Sequence, residues 1–159
     1  MTQALTDYSI RPATLDDLPV VLHHRRRMFE DMGFTDPGGL DRMIASSSPL
    51  LARGLRDGTY RGWLVAHAAD GIVAGGGIIG LEFQPSPRDS DTRRWWMVNV
   101  YAEPAHRRKG LARWIATTIV DWGREAGLSS VNLHASDDAR PLYEALGFTP
   151  TNEMKLTLR

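Results

Sequence analysis

Residues 98–112 read Val-Asn-Val-Tyr-Ala-Glu-Pro-Ala-His-Arg-Arg-Lys-Gly-Leu-Ala, and the order of elements within them decides the fold. The first half is a β-branched strand, expected over 95–101, that ends before Pro104. The second half is a short basic turn, Arg107-Arg108-Lys109-Gly110, opening a helix expected over 109–126. Leu111, Ile115, Ile119, Trp122 and Ala126 share one apolar stripe of that helix, and Gly127 closes it. The first N–H groups of such a helix lack internal partners, and the helix dipole adds about half a positive charge there. Gly110 lets an anion approach the backbone without a Cβ in the way. Taken alone, the turn reads equally well as a solvated basic cap. Three cations at a helix N-terminus nevertheless oppose the dipole, an arrangement that makes sense when an anion sits among them.

Upstream, residues 9–12 form a short extended segment, and Thr14-x-x-Asp17 begins a capping pattern for a helix that Gly33 stops. A second helical stretch over 40–56 reads as interrupted around 46–49. Strands are expected over 63–68 and 72–83, joined at Asp70-Gly71, a pair suited to a two-residue type I′ turn. Gly75, Gly76 and Gly77 weaken the second of these strands and signal a bulge or a close backbone approach. Residues 84–93 form a polar loop. Downstream, residues 130–135 read as a strand, Asp138 as the cap of a helix with Pro141 in its first turn, and 148–149 and 154–158 as short terminal strands. Alternating strands and helices give a mixed α+β class in one domain spanning 1–159.

Bulk properties narrow the function. Lysine plus arginine balances aspartate plus glutamate at 19 each, so no global field draws the chain to nucleic acid or an acidic membrane. With no cysteine, there is no thiolate metal site and no thiol nucleophile. No apolar run is long enough for a membrane span, and MTQALTDYSI lacks the pattern of a secretory leader, so a cytoplasmic location is expected. Adjacent His23 and His24 would face different directions on a helix, and no metal is expected to bind.

Two motifs carry a resemblance. Arg107-x-x-Gly110-x-Ala112 after a strand resembles motif A of the GNAT superfamily of N-acetyltransferases, and residues 139–148, ARPLYEALGF, resemble its motif B. Ile10-Arg11-Pro12-Ala13 before a capped helix resembles the family's opening, so the likeness spans nearly the whole chain. It implies a central, mostly antiparallel sheet flanked by helices, with acetyl-CoA lying where two neighbouring strands splay apart.

The resemblance also implies roles. The backbone of Val100, Tyr101 and Ala102 would pair with the pantetheine arm. Arg107, Arg108, Lys109, Gly110, Leu111, Ala112 and Arg113 would surround the pyrophosphate, mostly through backbone N–H groups. A backbone N–H near Val100 would polarise the thioester carbonyl. Tyr143 would be the general acid that protonates departing coenzyme A. Ser136 stands where the family often has a cofactor-contacting asparagine, which puts that contact in doubt. His134, Glu82 and Glu30 are the alternatives for the general base. Arg27, Glu30 and Asp31 would border an acceptor pocket for a primary amine of a small molecule or peptide. Transfer would be direct, within a ternary complex. Homodimers are common in the family. An acyl-CoA-binding sensor without turnover is the alternative reading, motivated by Ser136 and the unassigned base.

Overall fold

The computed structural model describes residues 5–159, so the first four residues of the stretch read as lacking a leader lie outside it. Four strands, β1 (Tyr8–Pro12), β2 (Tyr60–His67), β3 (Gly71–Glu82) and β4 (Arg93–Ala102), form one antiparallel sheet in sequence order. Helices α1 (Leu18–Asp31) and α2 (Pro37–Asp57) cover one face. Helix α3 (Leu111–Glu125) and the short α4 (Arg140–Ala145) pack on the other. No helix among the described residues is long and apolar enough to cross a membrane.

The core is split by the sheet. On the α3 face, Leu111, Ile115, Ala116 and Ile119 are buried against Val65, Val73, Ala74, Trp95 and Met97. Ile115 and Ile119 are fully enclosed, each contributing about 1.5–3 kcal/mol of burial free energy. Ala126, expected on this stripe, is exposed just past the helix end. On the opposite face, Val21, Leu51 and Tyr60 form a smaller cluster with Val98 and Ile79.

The glycine triplet does both things its sequence allowed. A Cβ on Gly76 would come within 2.6 Å of Ile115, and one on Gly77 within 2.4 Å of the Tyr60 hydroxyl, so helix and ring pack directly on bare backbone. The β3–β4 register also shifts between Gly75 and Gly77.

Several expected boundaries change. Helix α2 runs unbroken through Pro49, which lies on the exposed face, where water can satisfy the carbonyl that the proline leaves without a donor. The β2–β3 connection is a three-residue loop, 68–70, followed by Gly71 at positive φ, +73°, in the first position of β3, rather than a two-residue type I′ turn. Asp17 accepts the Thr14 backbone N–H at 2.8 Å, but it caps a 3-10 turn that leads into α1. Asp138 does not cap α4, whose N-cap is Ala139 with no side-chain cap; Ser136 closes the turn before it, its Oγ accepting from the Ala139 N–H at 3.3 Å and its carbonyl from Ala139 and Arg140.

The expected strand over 130–135 is reduced to a single parallel bridge, Trp96 with Asn132. The terminal strands over 148–149 and 154–158 do not form, and Met154, Leu156 and Leu158 are exposed. With 131–135 bridged at one point only, those segments have no complete strand to pair with, and a two-stranded ribbon alone is marginal in water.

Candidate active site

Strand β4 is the edge of the sheet, and a bulge changes which of its backbone groups face outward. Met97 donates its N–H to Asn132 at 2.8 Å on the outer side, whereas Glu103 donates to Val73 at 2.8 Å on the inner side. Between them, three steps along β4 (Val98 to Tyr101) oppose two along β3 (Gly77 to Gly75). Asn99 takes up the extra residue with φ +60°. Counting back from Glu103, Tyr101 turns its N–H and carbonyl toward Gly75, while Val100 and Ala102 turn theirs outward, the Ala102 carbonyl being taken by Arg107. Of the three residues expected to pair with the pantetheine arm, Val100 and Ala102 thus turn their backbone outward from the sheet and Tyr101 does not. Beyond Asn132 the chain makes no further bridge to β4 among the described residues.

The loop after β4 continues this edge. Arg108 and Gly110 both adopt positive φ, +61° and +85°, which turns successive peptides toward one side at the start of α3. No backbone N–H from Arg108 to Arg113 has an acceptor among the described residues. A Cβ at Gly110 would meet nothing within 4 Å, so its need for glycine is conformational and the space beside it is open. Arg107 is already engaged. Its Nε donates to the Ala102 carbonyl at 2.9 Å, its guanidinium pairs with Asp31, and it lies over the Tyr101 ring. These are the features that a diphosphate-bearing pantetheine ligand requires: an open strand edge running into a nest of free amides.

Tyr143, on α4, is 8% exposed and packs edge-on to Phe148. Burial pushes its phenol above the ordinary range, so it stays protonated at neutral pH. Its hydroxyl has no protein hydrogen-bond partner among the described residues. Tyr143 and His134 both line a cavity of about 430 Å³ with Trp96, Glu144 and Phe148. None of Val100, Ala102 or the 107–113 loop lines that cavity.

Residues 21–148 match the model of the acetyltransferase (GNAT) family. This chain belongs to that family. A GNAT acetyltransferase of solved structure, the GCN5-related N-acetyltransferase from Ralstonia eutropha, is 31% identical, with 95% of this chain and 98% of that one covered at a TM-score of 0.86. A predicted acetyltransferase from Clostridium acetobutylicum, solved with acetyl-CoA, shares the fold at 24% identity and a TM-score of 0.84, covering 95% and 96% of the two chains. The mouse probable N-acetyltransferase family 8 member 5 is 29% identical over 101 residues, and that match spans 58% of this chain but only 44% of the mouse protein.

The acetyltransferase fold brings some expected residues together and keeps others apart. Asp31 meets Arg107, so the end of α1 is tied to the loop. Arg27 and Glu30 pair with each other at 2.6 Å, and Glu30 also meets Arg26 at 3.1 Å. His134 is exposed, its ring stacked on Trp96 at 4.7 Å. Glu82 pairs in register with Arg93, six residues along β3 from Gly76, the level of the bulge. That separation is roughly 20 Å at strand rise, beyond the hydrogen-bond reach a base requires. Ser136 spends its hydroxyl on the Ala139 N–H in the turn before α4.

Two networks beside the bulge were not singled out from sequence. In one, Arg25 donates to Asn99 Oδ1 at 2.9 Å and to Ser47 Oγ at 3.0 Å, and Asn99 Nδ2 donates to the Tyr60 hydroxyl at 3.3 Å. This holds the left-handed Asn99 in place from beneath. In the other, Glu103 accepts from Tyr101 at 3.1 Å and pairs with His23 Nε2 at 2.9 Å. Burial works against ionisation of Glu103, but hydrogen bonds from His23 and Tyr101 outweigh it and hold the carboxyl below its usual range. Neither network leaves a sequence signal, because its members are 2 to 80 residues apart.

Proposed function

We propose that this protein transfers the acetyl group of acetyl-CoA to a primary amine of a small molecule or peptide, by direct attack within a ternary complex. The observation that carries the reading is the Asn99 bulge, which aims the Val100 and Ala102 backbone at an open edge continuous with the free amides of 108–113. Acetyl-CoA supplies an activated thioester carbonyl when bound. The Arg108–Arg113 amides would hold its pyrophosphate against the positive end of α3. The Val100 N–H would polarise the carbonyl, a preorganised contribution that needs no side chain. Tyr143 would give its proton to the departing sulfur, an effect worth about 10²–10⁴-fold in rate. The attacking amine must lose a proton, and His134 is the base we assign, since it shares a cavity with Tyr143.

Thiol release with a panel of amines tests this reading. Tyr143→Phe should lower kcat at least a hundredfold with little change in KM for acetyl-CoA, and His134→Ala should lower the rate at neutral pH. Equal rates for Tyr143→Phe and wild type would remove the phenol from the mechanism. Acetyl-CoA binding with no thiol release on any amine would instead favour an acyl-CoA-binding sensor.

A further inference from the structure

We infer that His67, Asp70 and His106 form a binding site for a late first-row divalent cation of the zinc type. The three residues come from separate places: the end of β2, the β2–β3 loop and the 3-10 turn after β4. One ligand atom from each lies within 4.8 Å of the others. His67 Nδ1 is 2.8 Å from Asp70 Oδ2, and His106 Nε2 is 3.3 Å from that same oxygen. Tetrahedral ligands about 2.0–2.1 Å from zinc lie about 3.3–3.4 Å apart, so binding draws together ligand atoms that now lie within 4.8 Å of one another, by up to about 1.4 Å. Asp70 is the member free to move, since its side chain is half exposed on a loop.

The chemistry of the set selects the metal. Two imidazoles and one carboxylate suit zinc and its neighbours, whereas magnesium and calcium demand oxygen. Water would complete the coordination on the side of Asp70, whose side chain is half exposed. The surroundings fix the ligands as well. His106 is buried, and its other ring nitrogen, Nδ1, lies 2.8 Å from the Tyr8 hydroxyl. Lys109 donates to that hydroxyl at 3.3 Å. With Nε2 on the metal, Nδ1 carries the proton and donates to Tyr8 Oη, the partner a ligating histidine ordinarily has. The rings of Tyr8, His67 and His106 pack on one another with centroids 4.8–5.7 Å apart, which limits ring rotation. An ion here would pin the β2–β3 loop to the turn that leads into the 107–110 loop.

Metal-stripped, untagged, full-length protein tests the inference with Zn²⁺ and Co²⁺. Co²⁺ should give a visible tetrahedral absorption band that saturates at one equivalent, and Zn²⁺ should displace it. Zn²⁺ at a hundredfold excess over Kd should raise the Tm by about 5–10 °C. His67→Ala and Asp70→Asn, both at partly exposed positions, should keep the metal-free Tm but weaken binding at least tenfold. His23→Ala should bind as wild type does. Absence of the band, binding that is equal in His67→Ala and wild type, or displacement by Mg²⁺ as effective as by Zn²⁺ would overturn the assignment. In the first case Asp70 serves only as a hydrogen-bond acceptor for two imidazoles.

Discussion

Stability should fall as the pH drops from neutrality toward 4, and His24 should be responsible. This residue is 2% exposed on α1, wedged against the Tyr101 ring and the bare backbone of Gly75, and its Nε2 has no partner. Burial, with the neighbouring His23, pushes its pKa down to about 4, against a smaller opposing pull from Glu103. The unfolded chain takes up a proton at this residue near the ordinary histidine value of about 6.5, while the folded protein does not until the pH reaches about 4. Across that window the unfolded state binds more protons, so stability declines as pH falls and is fully present above about 6.5. At about 1.4 kcal/mol per tenfold change in proton affinity, the cost approaches roughly 3 kcal/mol. That is a large share of the ~5–15 kcal/mol stability of an ordinary domain. Urea unfolding at intervals from pH 7.5 to 4.5 measures it, with His24→Leu and His24→Gln alongside. Both variants should flatten the pH dependence, whatever their absolute stability. Asp17, whose carboxyl the Arg11 guanidinium holds well below the usual carboxylate range, contributes stability that is lost only below about pH 4 and so leaves this window clear. A slope in His24→Leu equal to that of wild type, or a His24 ring resonance titrating near 6.5, would refute the reasoning.

Gly110→Val should lower the Tm by a few degrees, because a β-branched residue at φ +85° costs about 1–2 kcal/mol, and should raise the KM for acetyl-CoA at least tenfold; Arg108→Ala should change both less. Gly54→Ala should destabilise by about 1–3 kcal/mol in thermal melts, since its Cβ would sit 2.4 Å from the Tyr60 Cβ and 2.8 Å from the Tyr60 backbone nitrogen, neither of which is a flexible tip. Asn99→Ala should lower kcat while leaving the acetyl-CoA Kd within a fewfold, because it removes the side-chain bonds to Arg25 and Tyr60 that hold the bulge beneath Val100, and a pre-steady-state comparison of binding and chemistry reads this directly.

Local grammar made much of this fold legible. The α3 stripe, the glycine triplet and the helix-opening loop were readable because each depends on a short, contiguous pattern, and only Ala126 at the end of the stripe departs from it. The terminal strands were misread for the complementary reason. Residues 154–158 alternate apolar and polar as a strand does, but alternation names a face and does not supply a partner. Pro49 looked like a helix break because the sequence does not reveal that it faces solvent. The bulge was half visible. Gly75–Gly77 signalled an irregularity, but the extra residue lies across the ladder at Asn99, an ordinary asparagine whose left-handed backbone is held by Arg25, 74 residues away. Tyr143 was singled out through motif spacing, whereas the pairing of His23 with Glu103 and the His67–Asp70–His106 cluster were not, because tertiary folding alone brings their members together.

The central claim, that the open β4 edge and the 107–113 loop serve acetyl transfer to an amine, is tested most directly with acetyl-CoA labelled in the acetyl group. The account predicts labelled N-acetyl product from at least one primary amine, formed in step with free coenzyme A and slowed at least tenfold in Gly110→Val when acetyl-CoA is well below its KM. Thiol release that is independent of any amine, or label recovered only as free acetate, would contradict it.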